Sequence, residues 1–268
     1  MAVVTESLQL HVHGAETAPT LIHLPGLHGD WTLLGPFRAA LGGSARLVET
    51  TYPRRPKWVL DDYAAALEQA LLERGIRRGW LLAESFSSQV AWQLLGRRDA
   101  QGGAEGLEVA GLILVGGFVK HPWPWGVRAA HGASRAAPLW LLKRLCALYG
   151  RSASRRCCAA PEVAVEIEEF VRRRTLPVDR EAVTSRYRLI AGADFRPVAR
   201  RVRLPVYHLS GAIDPLVPWW HVAAWLKRDC PGFRASRIVR RAGHNVLLDA
   251  PGESVKQILE WIGSSQAP

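Results

Sequence analysis

Three residues far apart in the sequence carry side chains that can act together as a nucleophile, a base and an orienting carboxylate: Ser85, His244 and Asp214. A serine hydroxyl is a weak nucleophile, so it attacks a carbonyl carbon only when a neighbouring base removes its proton. An imidazole does this near neutral pH, and a carboxylate that accepts its other N–H fixes the required tautomer. The chemistry open to these three side chains is acyl transfer through a covalent intermediate.

Ser85 lies in the segment WLLAESFSSQ, where a strand-like run turns at once into a helix-like run. Such a turn strains the backbone at its apex and lifts that side chain above the sheet edge. The residues two before and two after the apex must be small. Ala83 and Ser87 meet this condition, although glycine is usual at both positions. A serine at a strand-to-helix junction can also be an ordinary N-cap, so both interpretations of Ser85 stay open.

The segment LIHLPGLHGD, residues 21–30, places a glycine-rich loop after a strand. If Ser85 attacked a carbonyl, the tetrahedral oxyanion would need two backbone N–H donors, one after the nucleophile and one from such a loop. We predict that Phe86 and Leu27 supply them, with Gly26 and Gly29 letting the loop bend towards the nucleophile. The alternative is an ordinary strand-to-helix turn.

The base and its carboxylate are predicted on two later loops. His244, in RAGHN, follows the last strand-like segment and is the only one of nine histidines so placed late in the chain. Asp214, in SGAIDPLVP, follows the preceding strand, and Pro215 stiffens its loop. A structural histidine and a turn aspartate before proline are the alternatives. The strand before that ends in GGFVK, which contains no acid, so Asp214 is the only good candidate.

In the chain order serine, aspartate, histidine, these four segments resemble the α/β-hydrolase family over almost the whole chain. The sequence departs from the family at Ala83 and Ser87, and at Leu24 and Pro25, where many members have a histidine before the oxyanion glycine. The resemblance implies a carboxylesterase-like serine hydrolase that needs no cofactor and cleaves an ester, thioester or amide of a small-molecule acyl substrate. Serine rather than aspartate at the nucleophile position disfavours epoxide or halide chemistry. A carbon–carbon (diketone) hydrolase with the same residues, or a non-catalytic ligand-binding protein of this fold, remain alternatives.

Strand-like and helix-like segments alternate over residues 1–120 and 201–268, which predicts an α/β core with a mostly parallel, doubly wound sheet. Between residues 121 and 200 the alternation stops, and helix-like segments follow at Pro138–Leu148, Pro161–Arg173 and Arg180–Ile190. We expect this stretch to be a helical lid inserted above the carboxyl ends of the strands, where open α/β sheets bind ligands. We further predict an apolar substrate pocket; the tryptophans assigned to it could instead pack the lid on the core. The residues assigned to this pocket are His28, Trp123, Trp125 and Trp219.

Composition bounds the remaining possibilities. A chain of 268 residues fits one large domain, and its net charge of +11 comes mostly from scattered arginines, which indicates compositional bias rather than a nucleic-acid partner. The four cysteines form neither a metal nor a disulfide pattern, and we see no export signal or membrane span, so a cytoplasmic location is expected. There is no H-E-x-x-H motif, and His11 and His13 are expected to be exposed, so no metal site is predicted. The sequence does not indicate an oligomeric state.

Overall fold

The computed structural model describes residues 7–100, 106–141, 144, 145, 148, 161–174 and 176–266. The strands are β1 (Gln9–His13), β2 (Thr20–Leu24), β3 (Arg46–Thr51), β4 (Arg78–Glu84), β5 (Glu108–Val115), β6 (Val206–Gly211) and β7 (Phe233–Val239). They form a seven-stranded sheet in the order β1-β3-β2-β4-β5-β6-β7. Only β1 pairs antiparallel, with β3 at the sheet edge, and the other pairings are parallel. The predicted mostly parallel sheet is therefore confirmed.

Helices cover both faces of the sheet. The described helices are α1 (Gly35–Leu41), α2 (Leu60–Glu73), α3 (Ser87–Ala100), α4 (Pro124–Ala136), α5 (Pro161–Arg174), α6 (Pro177–Gly192), α7 (Arg196–Ala199), α8 (Trp219–Asp229), α9 (Val246–Asp249) and α10 (Pro251–Gln266). Successive strand side chains point to opposite faces, so Ile22 and Leu81 pack towards α2, α3 and α8, while Leu21 and Leu82 pack towards α1 and α10. Two apolar layers thus hold the sheet rigidly between helices.

The segment between residues 121 and 200 contains helices and no strand in its described part. Within it α4 packs against α6, and α6 also contacts loops of the sheet core: Ser185 Oγ donates to the Pro56 carbonyl at 2.6 Å. Arg54 Nε and Asp179 Oδ1 form an ion pair at 2.6 Å with both side chains buried. The predicted helix Pro138–Leu148 lies only partly within the described residues, and Cys146, Arg151, Arg155, Arg156, Cys157 and Cys158 lie outside them. That this segment acts as a lid stays a prediction.

Two helices differ from the sequence prediction because of proline. The sequence also predicts a helix over residues 31–41, but α1 begins at Gly35, followed by Pro36. Pro36 has no N–H to donate to the carbonyl of Thr32, and proline is tolerated only in the first turn, so the helix cannot extend further back. Pro124 plays the same role at the start of α4, a helix that the proline-rich sequence HPWPWG did not suggest.

From β2 the chain continues to β3 on one side of the sheet, and from β4 it continues to β5 on the other side, so the strand order reverses between β2 and β4. Loops that leave the carboxyl ends of strands at such a reversal diverge and leave a crevice between them. The loop after β2 and the turn after β4 therefore face each other. No helix in the described ranges combines the length and apolar character needed to cross a bilayer.

Candidate active site

The turn after β4 holds Ser85 in a strained conformation. Its φ of 50° makes it the only residue other than glycine with a positive φ among the described residues. An L side chain adopts this region only at a cost, which the surrounding structure must offset. Here the Ser85 N–H donates to the Val115 carbonyl at 2.9 Å, so the neighbouring strand β5 anchors the turn. The strained turn predicted from the sequence is thus present, with Ser85 at its apex.

The structure brings Ser85, His244 and Asp214 together in one line of hydrogen bonds. Ser85 Oγ lies 2.8 Å from His244 Nε2, and His244 Nδ1 lies 2.7 Å from Asp214 Oδ2. The sequence separates these residues widely, but parallel strands β4, β6 and β7 end at the same sheet edge and carry their loops there. This geometry lets the imidazole accept the hydroxyl proton while its other N–H faces the carboxylate.

Backbone N–H groups aim the carboxylate of Asp214. Its Oδ1 accepts hydrogen bonds from Leu216 N–H at 2.8 Å and Val217 N–H at 3.0 Å. The other oxygen is thereby left to His244, and the Asp214 side chain is fully buried. Pro215 cannot donate a hydrogen bond, so the loop DPLV turns in the way that presents the next two N–H groups to one oxygen.

The environment of His244 favours its protonated form. Burial alone would lower the pKa of His244, but the hydrogen bond and charge of Asp214, with the charges of Glu84 and Asp249, outweigh burial and raise it above the ordinary value. Space beside the ring depends on Gly116, whose φ is 53°, because a Cβ there would lie 3.3 Å from the ring and 3.2 Å from the His244 carbonyl. The site is thus built for an imidazole that takes up a proton.

The two predicted oxyanion donors are available. Among the described residues, neither the Leu27 N–H nor the Phe86 N–H donates to any acceptor. Phe86 is buried and Leu27 is half-buried. Backbone N–H groups inside a protein normally find a partner, so donors without one, next to Ser85 in the chain and in the loop after β2, are consistent with a site for an external anion. Their role in binding an oxyanion stays a prediction.

A buried chain of hydroxyl groups ties the Ser85 turn to the loop after β2. Burial raises the pKa of Tyr52 well above its usual range, so its hydroxyl stays protonated and donates to Ser87 Oγ at 2.8 Å. Ser87 Oγ in turn donates to the carbonyl of Pro25. Ser87 therefore has a structural use, since it links the turn that holds Ser85 to the predicted oxyanion loop.

Comparison with solved structures places this architecture. No protein-family model matches the sequence, and no curated protein matches it. An enol-lactonase from Burkholderia xenovorans LB400 superposes with a TM-score of 0.75 at 18% identity over 96% of each chain. A thermophilic esterase from Thermogutta terrifontis gives 0.74 at 19% identity, covering 97% of this chain and 94% of that one. A hydrolase from Pseudomonas aeruginosa PA01 gives 0.76 at 16% identity over 97% of each chain.

The chain has the α/β-hydrolase fold. The resemblance inferred from four short segments is confirmed at the level of the fold, because each of these structures superposes on at least 96% of the chain. Nothing at this level of identity carries over a substrate.

The residues predicted to line a pocket of the α/β-hydrolase fold occupy different environments. His28 is half-buried, and its ring is nearly perpendicular to the ring of Phe170 in α5, with the ring centroids 4.9 Å apart. Trp123 is 38% exposed and Trp125 is 70% exposed, and both lie at the start of α4. Trp219 is half-buried and packs edge-on against Trp220, with centroids 5.7 Å apart. Only their positions are established, and their contact with substrate stays a prediction.

Two residues near the site of this α/β-hydrolase fold were not predicted from the sequence. His121 is buried, its Nδ1 accepts the Trp123 N–H at 3.1 Å, and burial together with the nearby charge of His244 lowers its pKa to about 4. It is therefore neutral at neutral pH and adds no second positive charge beside His244. Its position shortly after β5, at the same sheet edge, was the available signal. The second is Arg186 of α6, for which the sequence offers none.

The potential metal ligands among the described residues are not clustered. Among them, no group of three or more His, Cys, Asp and Glu side chains is arranged to hold an ion. His11 and His13 are exposed in the edge strand β1, and His13 faces Glu49 at 3.3 Å.

Proposed function

We propose that this protein is a serine hydrolase that cleaves an ester, thioester or related acyl bond through an acyl-enzyme intermediate. The observation that carries the proposal is the line of hydrogen bonds from Ser85 Oγ through His244 to Asp214, with distances of 2.8 Å and 2.7 Å. A binding protein needs no strained serine aligned with a buried base. The strain at Ser85, with φ 50°, supports a catalytic use, because such strain persists mainly where function requires it.

Each side chain has a defined part in the reaction that we propose. His244 removes the proton of Ser85 as its oxygen attacks the carbonyl carbon, and the Leu27 and Phe86 N–H groups stabilise the oxyanion. Asp214 stabilises the imidazolium, which then protonates the leaving alcohol or thiol. Water, deprotonated by His244, attacks the acyl-Ser85 ester and releases the acid. The reaction needs no group from outside the chain except water.

An ester is the favoured substrate class. The neighbours from Burkholderia xenovorans and Thermogutta terrifontis are named an enol-lactonase and an esterase, both of which cleave an acyl–oxygen bond. The same three side chains could also cleave a carbon–carbon bond of a diketone. Good turnover of a vinylogous diketone with poor turnover of simple aryl esters would favour that second reaction.

The proposal is tested by covalent labelling and by a panel of p-nitrophenyl esters of increasing acyl length. We expect a fluorophosphonate probe to label the wild-type protein at Ser85. Ser85→Ala should lose both labelling and hydrolysis of every ester. The matched control is Ser44→Ala, since Ser44 is exposed in the turn before β3, at the opposite edge of the sheet. It should behave as the wild type.

Two results would count against the proposal. A folded wild-type protein that neither reacts with the probe nor hydrolyses any ester is not a serine hydrolase of this kind. Ligand binding that survives unchanged in Ser85→Ala, together with such inactivity, would instead identify a non-catalytic binding protein.

A further inference from the structure

Among the described residues, Arg186 is the largest charged side chain in the interior, with 1% of its surface exposed. It belongs to α6, whose buried face also carries Asp179, Ala182, Ser185 and Ile190. The Arg54–Asp179 ion pair and the bond from Ser185 to the Pro56 carbonyl fix this face against the loop after β3. These contacts hold the helix in place around Arg186, independently of the contacts that the Arg186 side chain itself makes.

No carboxylate among the described residues pairs with Arg186. Its guanidinium instead donates to the Leu27 carbonyl at 2.8 Å, the Pro53 carbonyl at 3.3 Å and the Tyr63 hydroxyl at 3.2 Å. It also lies over aromatic rings, with centroids at 5.6 Å, 5.6 Å and 5.9 Å, those of Tyr52, Tyr63 and Phe86. Taking a charge out of water is costly, and neutral acceptors and rings leave its charge uncancelled. A charge kept in this way calls for an explanation beyond stability.

Both predicted oxyanion residues are contact partners of Arg186. It holds Leu27 by the carbonyl and Phe86 by the ring. The guanidinium also closes over Gly29, whose φ is 69°, because a Cβ there would lie 2.6 Å from the Arg186 Nη1 atom. A side chain at this position would therefore displace either the Arg186 guanidinium or the loop.

Three other carbonyls of this loop are fixed as well. Pro25 accepts from Ser87 Oγ, Gly26 accepts from the Gly29 N–H at 2.9 Å, and Gly29 accepts from the Tyr52 N–H at 2.9 Å. The Leu27 carbonyl is held differently, by a side chain of α6 from outside the sheet core. The orientation of the peptide planes around Leu27 thus depends on a cation carried by α6.

We propose that Arg186 is a positioning residue for the oxyanion site, which orients the loop through the Leu27 carbonyl and Phe86 through its ring. This inference rests on the proposed function. By this inference, α6 completes the oxyanion site. The positive charge of Arg186, which no carboxylate among the described residues cancels, also favours the negative charge that develops on the substrate oxygen. Arg186 does not touch the substrate, since its side chain is enclosed.

The test compares three variants with the wild type. Arg186→Met keeps an apolar side chain of similar length and removes the donors, and Arg186→Lys keeps the charge but lacks the planar fork that reaches several separated acceptors at once. The matched control is Arg188→Met, because Arg188 lies on the same helix but is exposed. For each we measure kcat and KM with p-nitrophenyl acetate and butyrate, and hydrogen–deuterium exchange of peptides that contain residues 25–31.

In Arg186→Met we expect kcat to fall by about 10²-fold, the loss typical of one misplaced oxyanion donor, with far less change in KM. Exchange in residues 25–31 should rise. Arg186→Lys should fall between this variant and the wild type, and Arg188→Met should match the wild type in both measurements.

A folded Arg186→Met with wild-type kcat and unchanged exchange would overturn the inference, as would a rise in KM alone, which indicates a role in substrate binding. If Arg186→Met does not fold, Arg186→Lys decides by the same criteria. Failure of the proposed function is distinguishable, because it appears as an inactive, unlabelled wild type. In that case raised exchange in the folded Arg186 variants still supports positioning of the loop by Arg186, and unchanged exchange overturns it.

Discussion

At the scale of single residues, the site depends on how Asp214 divides its two oxygens. One accepts two backbone N–H groups and the other faces His244, so the carboxylate cannot turn away without losing three hydrogen bonds. The same contact holds the pKa of His244 above its ordinary value of 6.5 against the opposing effect of burial. Position and proton affinity of the base therefore share one cause.

The effect of Asp214 on the pKa of His244 can be tested through the pH dependence of the variant Asp214→Asn. The proposed mechanism needs neutral His244, so the wild-type kcat/KM should rise with pH through a midpoint above 6.5. Removing the charge of Asp214 lowers the pKa of His244, so in Asp214→Asn the midpoint should move to lower pH. The plateau should fall roughly 10³- to 10⁴-fold, because the required tautomer is no longer held.

Asp249→Asn provides the comparison for this experiment. Asp249 also raises the pKa of His244 by its charge, but it forms its hydrogen bond to the Gly243 N–H, at 2.6 Å, rather than to the imidazole. We expect a smaller downward shift of the midpoint and a smaller loss at the plateau. An unmoved acid limb in Asp214→Asn would show that His244 is not the group whose protonation controls the rate.

At the scale of elements, the turn after β4 and the loop after β2 are joined through buried hydroxyl groups. Tyr52 donates to Ser87 at 2.8 Å, and Ser87 donates to the Pro25 carbonyl. Both side chains are fully buried, so neither hydroxyl can turn to water when its partner is removed. The two segments are therefore expected to depend on each other energetically.

A double-mutant cycle measures this dependence. Ser87→Ala leaves the Tyr52 hydroxyl and the Pro25 carbonyl without their partners, and should lower the free energy of unfolding by about 1–3 kcal/mol. Tyr52→Phe alone should also be destabilising. The double variant should lose less than the sum of the two, since the orphaned hydroxyl is gone. Urea unfolding of the four proteins gives the coupling, and additive losses would show that the two hydroxyl groups act independently.

At the scale of the whole molecule, buried neutral histidines set its stability in acid. His208 lies in β6 and is fully buried, with its Nδ1 2.9 Å from Ser236 Oγ. Burial lowers the pKa of His208 to about 4, although the charge of Asp214 opposes this. His121 is similarly lowered to about 4. The folded protein therefore takes up these protons only at a pH where the unfolded chain already carries them.

The sign of the effect follows from this difference in bound protons. Between about pH 6.5 and pH 4 the unfolded state binds the proton of His208 and the folded state does not, so the free energy of unfolding falls as pH falls. The contribution approaches about 1.4 kcal/mol per pH unit for one histidine. In His208→Gln the decline over this range should be shallower by that amount. Chemical unfolding from pH 4.5 to pH 8 tests this, and parallel curves for the two proteins would contradict it.

The order and type of the elements could be predicted from the sequence because strands and helices repeat their apolar residues with different periods. The edge strand β1, the strands before Ser85, Asp214 and His244, and the closing helix α10 all follow such patterns. Patterns fail where one residue overrides them. Pro36 delays the start of α1, and Pro124 begins α4 in a sequence that resembles a loop.

By itself the sequence determined which groups stand at the sheet edge, since a serine at a sharp turn and a histidine and an aspartate on loops after strands are local features. Only the tertiary structure decided that His244 lies within hydrogen-bond distance of both the serine and the aspartate, at 2.8 Å and 2.7 Å. It also decided that Ser87 bonds to Pro25 and that Arg186 reaches Leu27. The physical reason is one of range. Periodicity and turn chemistry act between near neighbours in the chain, whereas hydrogen-bond distances and the burial of a charge depend on how distant segments pack.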